Sequence, residues 1–83
     1  MTHPKDRNLV FLKPWMEITG KLTETFLIDD YLCLVVDDKI LAFRRESNEA
    51  IELLDREDSL IGKIIAILKT DIPDKPILIR TLS

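Results

Sequence analysis

The chain has 83 residues, of which 46% are hydrophobic and two are glycine, and its formal net charge is −3. This length suits one small domain, and the apolar content exceeds that of a disordered chain. The apolar runs are much shorter than the roughly 20 residues of a membrane helix, and no signal-peptide core is present. We therefore expect a folded cytoplasmic protein without a membrane segment.

The first residues divide into a polar leader and an apolar tetrad. Residues 1–8 are predicted to be flexible, and residues 9–83 to form a single small domain. His3 lacks a second ligand at metal-binding spacing, so we expect no metal site. The tetrad consists of Leu9, Val10, Phe11 and Leu12. We expect it to add an edge strand, to cover one end of the core, or to form an interaction surface for a second chain.

Three segments after the tetrad are predicted to be antiparallel strands: Trp15–Thr23, Tyr31–Val36 and Lys39–Arg45. The first alternates apolar and polar residues, and Gly20 within it predicts a bulge or a sharp bend. Asp37 and Asp38 suit the two-residue turn between the second and third segments. Cys33 lies in an apolar run without a basic neighbour, so we interpret it as a small core residue and not a reactive thiol.

A helix is predicted after the third strand. Ser47 or Asn48 can cap its first turn, and we expect it to run to about Glu57. Its predicted apolar stripe consists of Ala50, Ile51, Leu53 and Leu54. This spacing is typical of a helix with one face against a core.

The last predicted element is a hairpin of two apolar strands. Gly62 allows the chain to turn into the first strand, Ile64–Leu68, and a proline-flanked loop leads to the second, Ile77–Leu82. Because no polar residue interrupts Ile64–Leu68, we expect that strand to be covered on both faces, or to be covered on one face and docked to something on the other, and to lie at the centre of the fold.

The order strand, strand, strand, helix, strand, strand resembles that of the OB-fold over roughly Trp15–Leu82, and Gly20 lies where such barrels bend. The resemblance implies a mainly β domain with one helix, namely a five-stranded antiparallel Greek-key barrel with its helix between strands 3 and 4. A small SH3-like barrel, and an α+β sheet with one helix packed across it, are the alternatives.

The sequence shows no catalytic constellation. A nucleophile with a base, a phosphate-binding glycine loop and a metal cluster are all missing from the pattern. The carboxylate pairs Asp29-Asp30 and Asp37-Asp38 coincide with expected turns. We therefore expect no enzymatic activity and no cofactor.

The apolar sequence exceeds what one small core requires, which favours a protein-interaction or assembly module, either a homo-oligomer or an accessory subunit of a larger complex. The tetrad would be its interaction surface. The alternative is a single-stranded nucleic-acid-binding OB-fold protein, because residues 46–58 carry −5 and the remainder of the chain +2. Its candidate contacts are the cations Lys21, Lys39, Arg44 and Arg45 and the stacking residues Trp15 and Tyr31.

Overall fold

A computed structural model describes residues 8–82 of the chain. Its elements in order are β1 (Asn8–Val10), β2 (Glu17–Ile28), β3 (Tyr31–Val36), β4 (Lys39–Arg44), α1 (Asn48–Leu60), β5 (Ile64–Lys69) and β6 (Ile77–Thr81). The predicted mainly β architecture with one helix is confirmed. The predicted leader, including His3, lies outside the described residues apart from Asn8.

The strands form one open sheet in the order β1-β4-β3-β2-β5-β6. Neighbouring strands are antiparallel except β1 and β4, which are parallel. The predicted closed, five-stranded antiparallel barrel is therefore wrong. Closing a sheet requires its two end strands to pair. Here β1 occupies the outer edge of β4, and β6 ends the sheet on the other side without meeting it.

The long strand β2 joins the two halves of the sheet. Residues 17–21 pair with β5, and residues 22–28 pair with β3. The predicted bounds, Trp15–Thr23, were wrong at both ends, because Trp15 has a φ of 67° in the preceding turn and the strand continues to Ile28. The bulge lies between Leu22 and Glu24, after the position predicted for it.

Gly20 is required by close packing and not by a bulge. A Cβ atom at this position would lie 2.5 Å from Asp37 Oδ2 and 2.8 Å from Val36 Cγ1. Asp37 adopts a φ of 55°, as the predicted turn requires, and its Oδ1 accepts the Lys21 N–H at 3.0 Å. The turn between β3 and β4 is thereby tied to β2.

The helix begins as predicted, where Ser47 Oγ accepts the Ala50 N–H at 3.1 Å. It continues past the predicted end at Glu57 to Leu60. Gly62 then adopts a φ of 91°, which confirms its predicted role in the turn.

The predicted apolar stripe of α1 is only partly right. Ala50 and Leu53 are buried together with Leu60, whereas Ile51 is 58% exposed and Leu54 37% exposed. Residues three or four apart share a helix face, so Leu54, four residues after Ala50, lies at the margin of the buried stripe, whereas Ile51 lies outside it.

The main core lies between α1 and the inner face of the sheet. Ile65 and Ile67 of β5 belong to it. On the other face of this strand Ala66 is 1% exposed but Ile64 is 42% exposed, so the predicted cover on both faces is only partly right. Nor is β5 central, because it lies next to the end strand. The strands buried on both faces are β3, in which residues 32–36 are all buried, and β4, in which residues 40–43 are all buried.

Candidate functional site

The outer face of the sheet, opposite α1, carries a second apolar cluster. In β3, Leu32, Leu34 and Val36 belong to the main core. The alternating residues Cys33 and Val35 belong instead to the outer cluster, which also contains Ile40 and Ala42. Because successive strand residues point to opposite faces, an uninterrupted apolar strand makes both faces apolar.

An apolar groove crosses this face, and its floor consists of small residues. Phe26, Cys33 and Ala42 are neighbours across β2, β3 and β4. Cys33 and Ala42 have short side chains, so a depression of about 190 Å³ remains between the larger residues around them. We call this the outer groove. It is lined by Leu9, Phe11, Phe26, Ile28, Tyr31, Cys33, Ile40 and Ala42.

Aromatic side chains form part of the groove rim. The rings of Phe11 and Tyr31 meet edge to face, with centroids 5.9 Å apart and an interplanar angle of 72°. Such a pair contributes about 0.5–1.5 kcal/mol beyond its buried area. Phe11 nevertheless remains 54% exposed and Leu9 46% exposed. The rim therefore presents fixed apolar groups to solvent.

The structure divides the predicted interaction tetrad between the two faces. Leu9 pairs with Ile40 and lines the outer groove, as does Phe11. Val10 packs against the main core, and Leu12 is 8% exposed within it. The tetrad thus supplies an edge strand, part of the main core and two of the residues that line the outer groove.

Five residues of the outer groove were not predicted as site residues: Phe26, Ile28, Cys33, Ile40 and Ala42. The signal that could have identified them is the uninterrupted apolar run Tyr31–Val36. It predicts a strand with two apolar faces by the same reasoning that was applied to Ile64–Leu68.

The chemistry of the groove is that of an apolar contact surface. Burial raises the pKa of the Cys33 thiol, which keeps it protonated and a poor nucleophile. Within residues 8–82, no group of three or more His, Cys, Asp or Glu side chains is placed to hold a metal ion.

The candidate nucleic-acid contacts fall at different ends of the sheet. Tyr31 and Arg44 are partners across β3 and β4, and Arg45 follows directly. Lys39 pairs with Val36 at the other end of these strands, and its Nζ lies 3.4 Å from Asp38 Oδ1. Lys21 lies at that same end, because its carbonyl accepts the Asp37 N–H. The predicted cations therefore do not form one patch.

Trp15 is 57% exposed, and its backbone N–H donates to the Lys69 carbonyl at 2.6 Å. Lys69, Tyr31 and Arg44 line a second, shallow depression of about 200 Å³. The Lys69 ammonium is itself paired with the Glu49 carboxylate. Of the predicted set, the structure therefore brings Tyr31 and Arg44 together beside a cation that is already neutralised.

Comparisons with protein families, with curated proteins and with solved structures found no match to this chain. In the described part of the chain, no helix is long and apolar enough to cross a membrane.

Proposed function

We propose that this protein is a non-enzymatic interaction or assembly module that binds a partner protein through the outer groove. The observation that supports this function is the apolar groove on the outer face of the sheet, whose floor of small residues is surrounded by the partly exposed side chains of Leu9, Phe11 and Ile28. A closely packed apolar floor with partly exposed apolar side chains around it can receive an anchor residue of a partner.

The size of the groove favours a protein side chain over a small organic ligand. Pockets for drug-sized ligands have volumes of roughly 300–1,000 Å³, whereas the outer groove measures about 190 Å³. A volume of this size accepts an apolar anchor residue of a partner. The exposed rings and side chains of the rim, such as Phe11 and Ile28, would then pack around that anchor.

The edge of the groove is polar and nearly neutral. Glu24 is opposite Val35, and Arg44 is opposite Tyr31, so one acid and one base flank the outer cluster on its own face. Both side chains are exposed. An apolar centre with a mixed polar rim is the usual composition of a protein–protein interface.

A displayed library of random peptides, selected for binding to the folded protein, tests this function. We expect the selected peptides to carry an aromatic or aliphatic anchor and to lose at least tenfold in affinity for the Ala42→Leu variant. Leucine at this position fills the floor of the groove without introducing a charge or a polar group.

The control is Ile51→Ser, which changes a 58% exposed apolar side chain on α1, away from the outer groove. We expect it to leave peptide binding unchanged. If the selected peptides bind Ala42→Leu as well as the original chain, or if they are lost only on Ile51→Ser, the outer groove is not the binding site.

Single-stranded nucleic acid is the second candidate, and the observation in its favour is the pairing of Tyr31 with Arg44 on one face, with Arg45 adjacent. A ring and two cations suit one stacked base and its phosphates. The test is a fluorescence titration with short single-stranded DNA and RNA at low salt, where electrostatic binding is strongest.

If this alternative holds, replacing Arg44 and Arg45 with Ala weakens binding to all sequences and flattens its salt dependence. Replacing Tyr31 with Ala removes about 1–3 kcal/mol of stacking per base. An absence of binding at low salt excludes the nucleic-acid function and leaves the interaction module.

A further inference from the structure

The last strand, β6, forms an open edge of the sheet. We infer that two copies of this chain associate through β6, edge to edge and antiparallel, so that one sheet continues across a twofold axis. This edge is a surface other than the outer groove.

The hydrogen bonds between β5 and β6 show which backbone groups of β6 face outward. The Leu82 N–H donates to the Ile64 carbonyl at 2.7 Å, and the Thr70 N–H donates to the Pro76 carbonyl at 2.8 Å. In an antiparallel ladder the residues that face a given neighbour alternate. Ile77, Ile79 and Thr81 therefore direct their N–H and C=O groups away from β5, and no described strand lies beyond them.

The two edges of the described sheet differ in how well they are protected. β1 has 3 residues, whereas β6 has 5 and carries one charged residue, Arg80. Soluble proteins normally protect a long apolar edge with charges, prolines or a covering element. An open groove of about 650 Å³ is lined by residues of β6 together with Glu52 and Arg56 of α1, so this side of β6 is accessible from solvent.

The strand is complementary to itself. With Ile79 on the twofold axis, Ile79 lies opposite Ile79 of the second copy, and Ile77 lies opposite Thr81. All of these residues have outward-facing backbone groups, so each pair exchanges both hydrogen bonds. This register pairs the whole of β6, and it sets Leu78 opposite Arg80 of the second copy on the outer face. Homo-oligomers most often form through such self-complementary twofold contacts.

Sedimentation equilibrium of the full chain, from micromolar to submillimolar concentration, is the first measurement. We expect a monomer–dimer equilibrium. A chain that stays monomeric throughout this range overturns the inference.

Two separate substitutions of opposite charge at Leu78, which is 43% exposed, then test the register of the two β6 strands in the dimer. Leu78→Lys places a cation opposite Arg80 at two symmetric positions and should weaken dimerisation roughly two- to thirtyfold, whereas Leu78→Glu should strengthen it. Equal effects of the two charges contradict this pairing.

Two substitutions at Ile79 test the outward backbone groups. Ile79→Pro removes an outward N–H that β5 does not use and should abolish the dimer, whereas Ile79→Ala removes the same side-chain packing and should retain it. Circular dichroism shows whether each variant folds. If Ile79→Pro does not fold, the dimerisation of the two charged variants at Leu78 decides the question. If dimerisation is unchanged in all β6 variants but is lost in Phe11→Ser, the dimer forms through the outer groove. This result overturns the inference while leaving the proposed function intact.

Discussion

Along β2, the outward-facing side chains change from Glu17, Thr19 and Lys21, in the half that pairs with β5, to Glu24, Phe26 and Ile28, in the half that pairs with β3. The change occurs at the bulge after Leu22, where the extra residue resets which side chains face outward. One strand therefore contributes to two different outer surfaces.

Both halves of the sheet share the main core on the inner face but differ outside it. In the β5–β6 half, the outer face mixes apolar side chains with polar ones, and Glu17 Oε2 lies 3.4 Å from Arg80 Nη2. In the other half, the outer cluster has no charged member. The difference indicates that the first surface is solvated and that the second is shaped for contact.

The largest expected change in the free energy of unfolding is at β4, where truncations on the two faces should differ. Leu41 on the inner face and Ile40 on the outer face are 0% and 3% exposed. We expect Leu41→Ala to reduce the free energy of unfolding by about 2–5 kcal/mol. Ile40→Ala should cost clearly less, because the outer cluster is much smaller than the main core and the neighbouring side chains can move into the space. Urea denaturation measures both, and equal losses would show that the outer cluster is a second core.

The next effect concerns the ion pair that links α1 to the β5–β6 half. Burial alone would raise the pKa of the Glu49 carboxyl, but hydrogen bonds from Lys69 and from its own backbone N–H, together with the Lys69 charge, lower it overall. Glu49 therefore stabilises the fold above the carboxyl's ordinary pKa of 4.5, and this contribution is lost as the pH falls through the lowered folded-state pKa.

Lys69→Met should reduce the free energy of unfolding at neutral pH by about 1.5–3 kcal/mol, the range for a hydrogen bond to a charged group. It should also remove the part of the acid sensitivity that depends on Glu49. Denaturation from pH 7 to pH 3 measures both quantities. A variant with unchanged acid sensitivity would show that Glu49 does not link the helix to this half.

A smaller effect is expected at the contact between Gly20 and the turn of β3 and β4. Gly20→Ala introduces a Cβ atom within 2.5 Å of Asp37 Oδ2, and we expect a loss of about 1–3 kcal/mol, as for other overpacked positions. Adding Asp37→Gly should make the double variant less unstable than the sum of the single changes. Thermal denaturation measures the stability losses of the single and double variants. Additive losses would show that the contact between the new Cβ atom and Asp37 is not the source of the strain.

Local signals in the sequence predicted most of the elements. Asp37 adopts the predicted positive φ, Ser47 caps the helix, and Tyr31–Val36 forms a strand with its predicted bounds. These features depend on neighbouring residues alone. The second half of β2 was missed because the Leu22 bulge breaks the alternation that identifies a half-buried strand.

Whether the sheet closes into a barrel, and where the outer groove forms, depend on contacts between residues distant in the sequence. Nothing local to Leu9 and Val10 specifies that they pair in parallel with β4 and occupy its free edge. The same pairing places Phe11 beside Tyr31, which completes the groove rim. The sequence predicted surplus apolar surface, but its location depends on strand order.

The most direct test of the account compares Phe11→Ser with Ile51→Ser, two substitutions of apolar side chains that are 54% and 58% exposed. Unfolding free energy and affinity for a groove-selected peptide are measured on both variants. We predict that Phe11→Ser costs about 1 kcal/mol of stability, in keeping with its partial exposure, and abolishes binding, whereas Ile51→Ser changes neither substantially. A Phe11→Ser variant that loses about 3 kcal/mol or more and still binds the peptide would show that the outer groove serves the fold and not a partner.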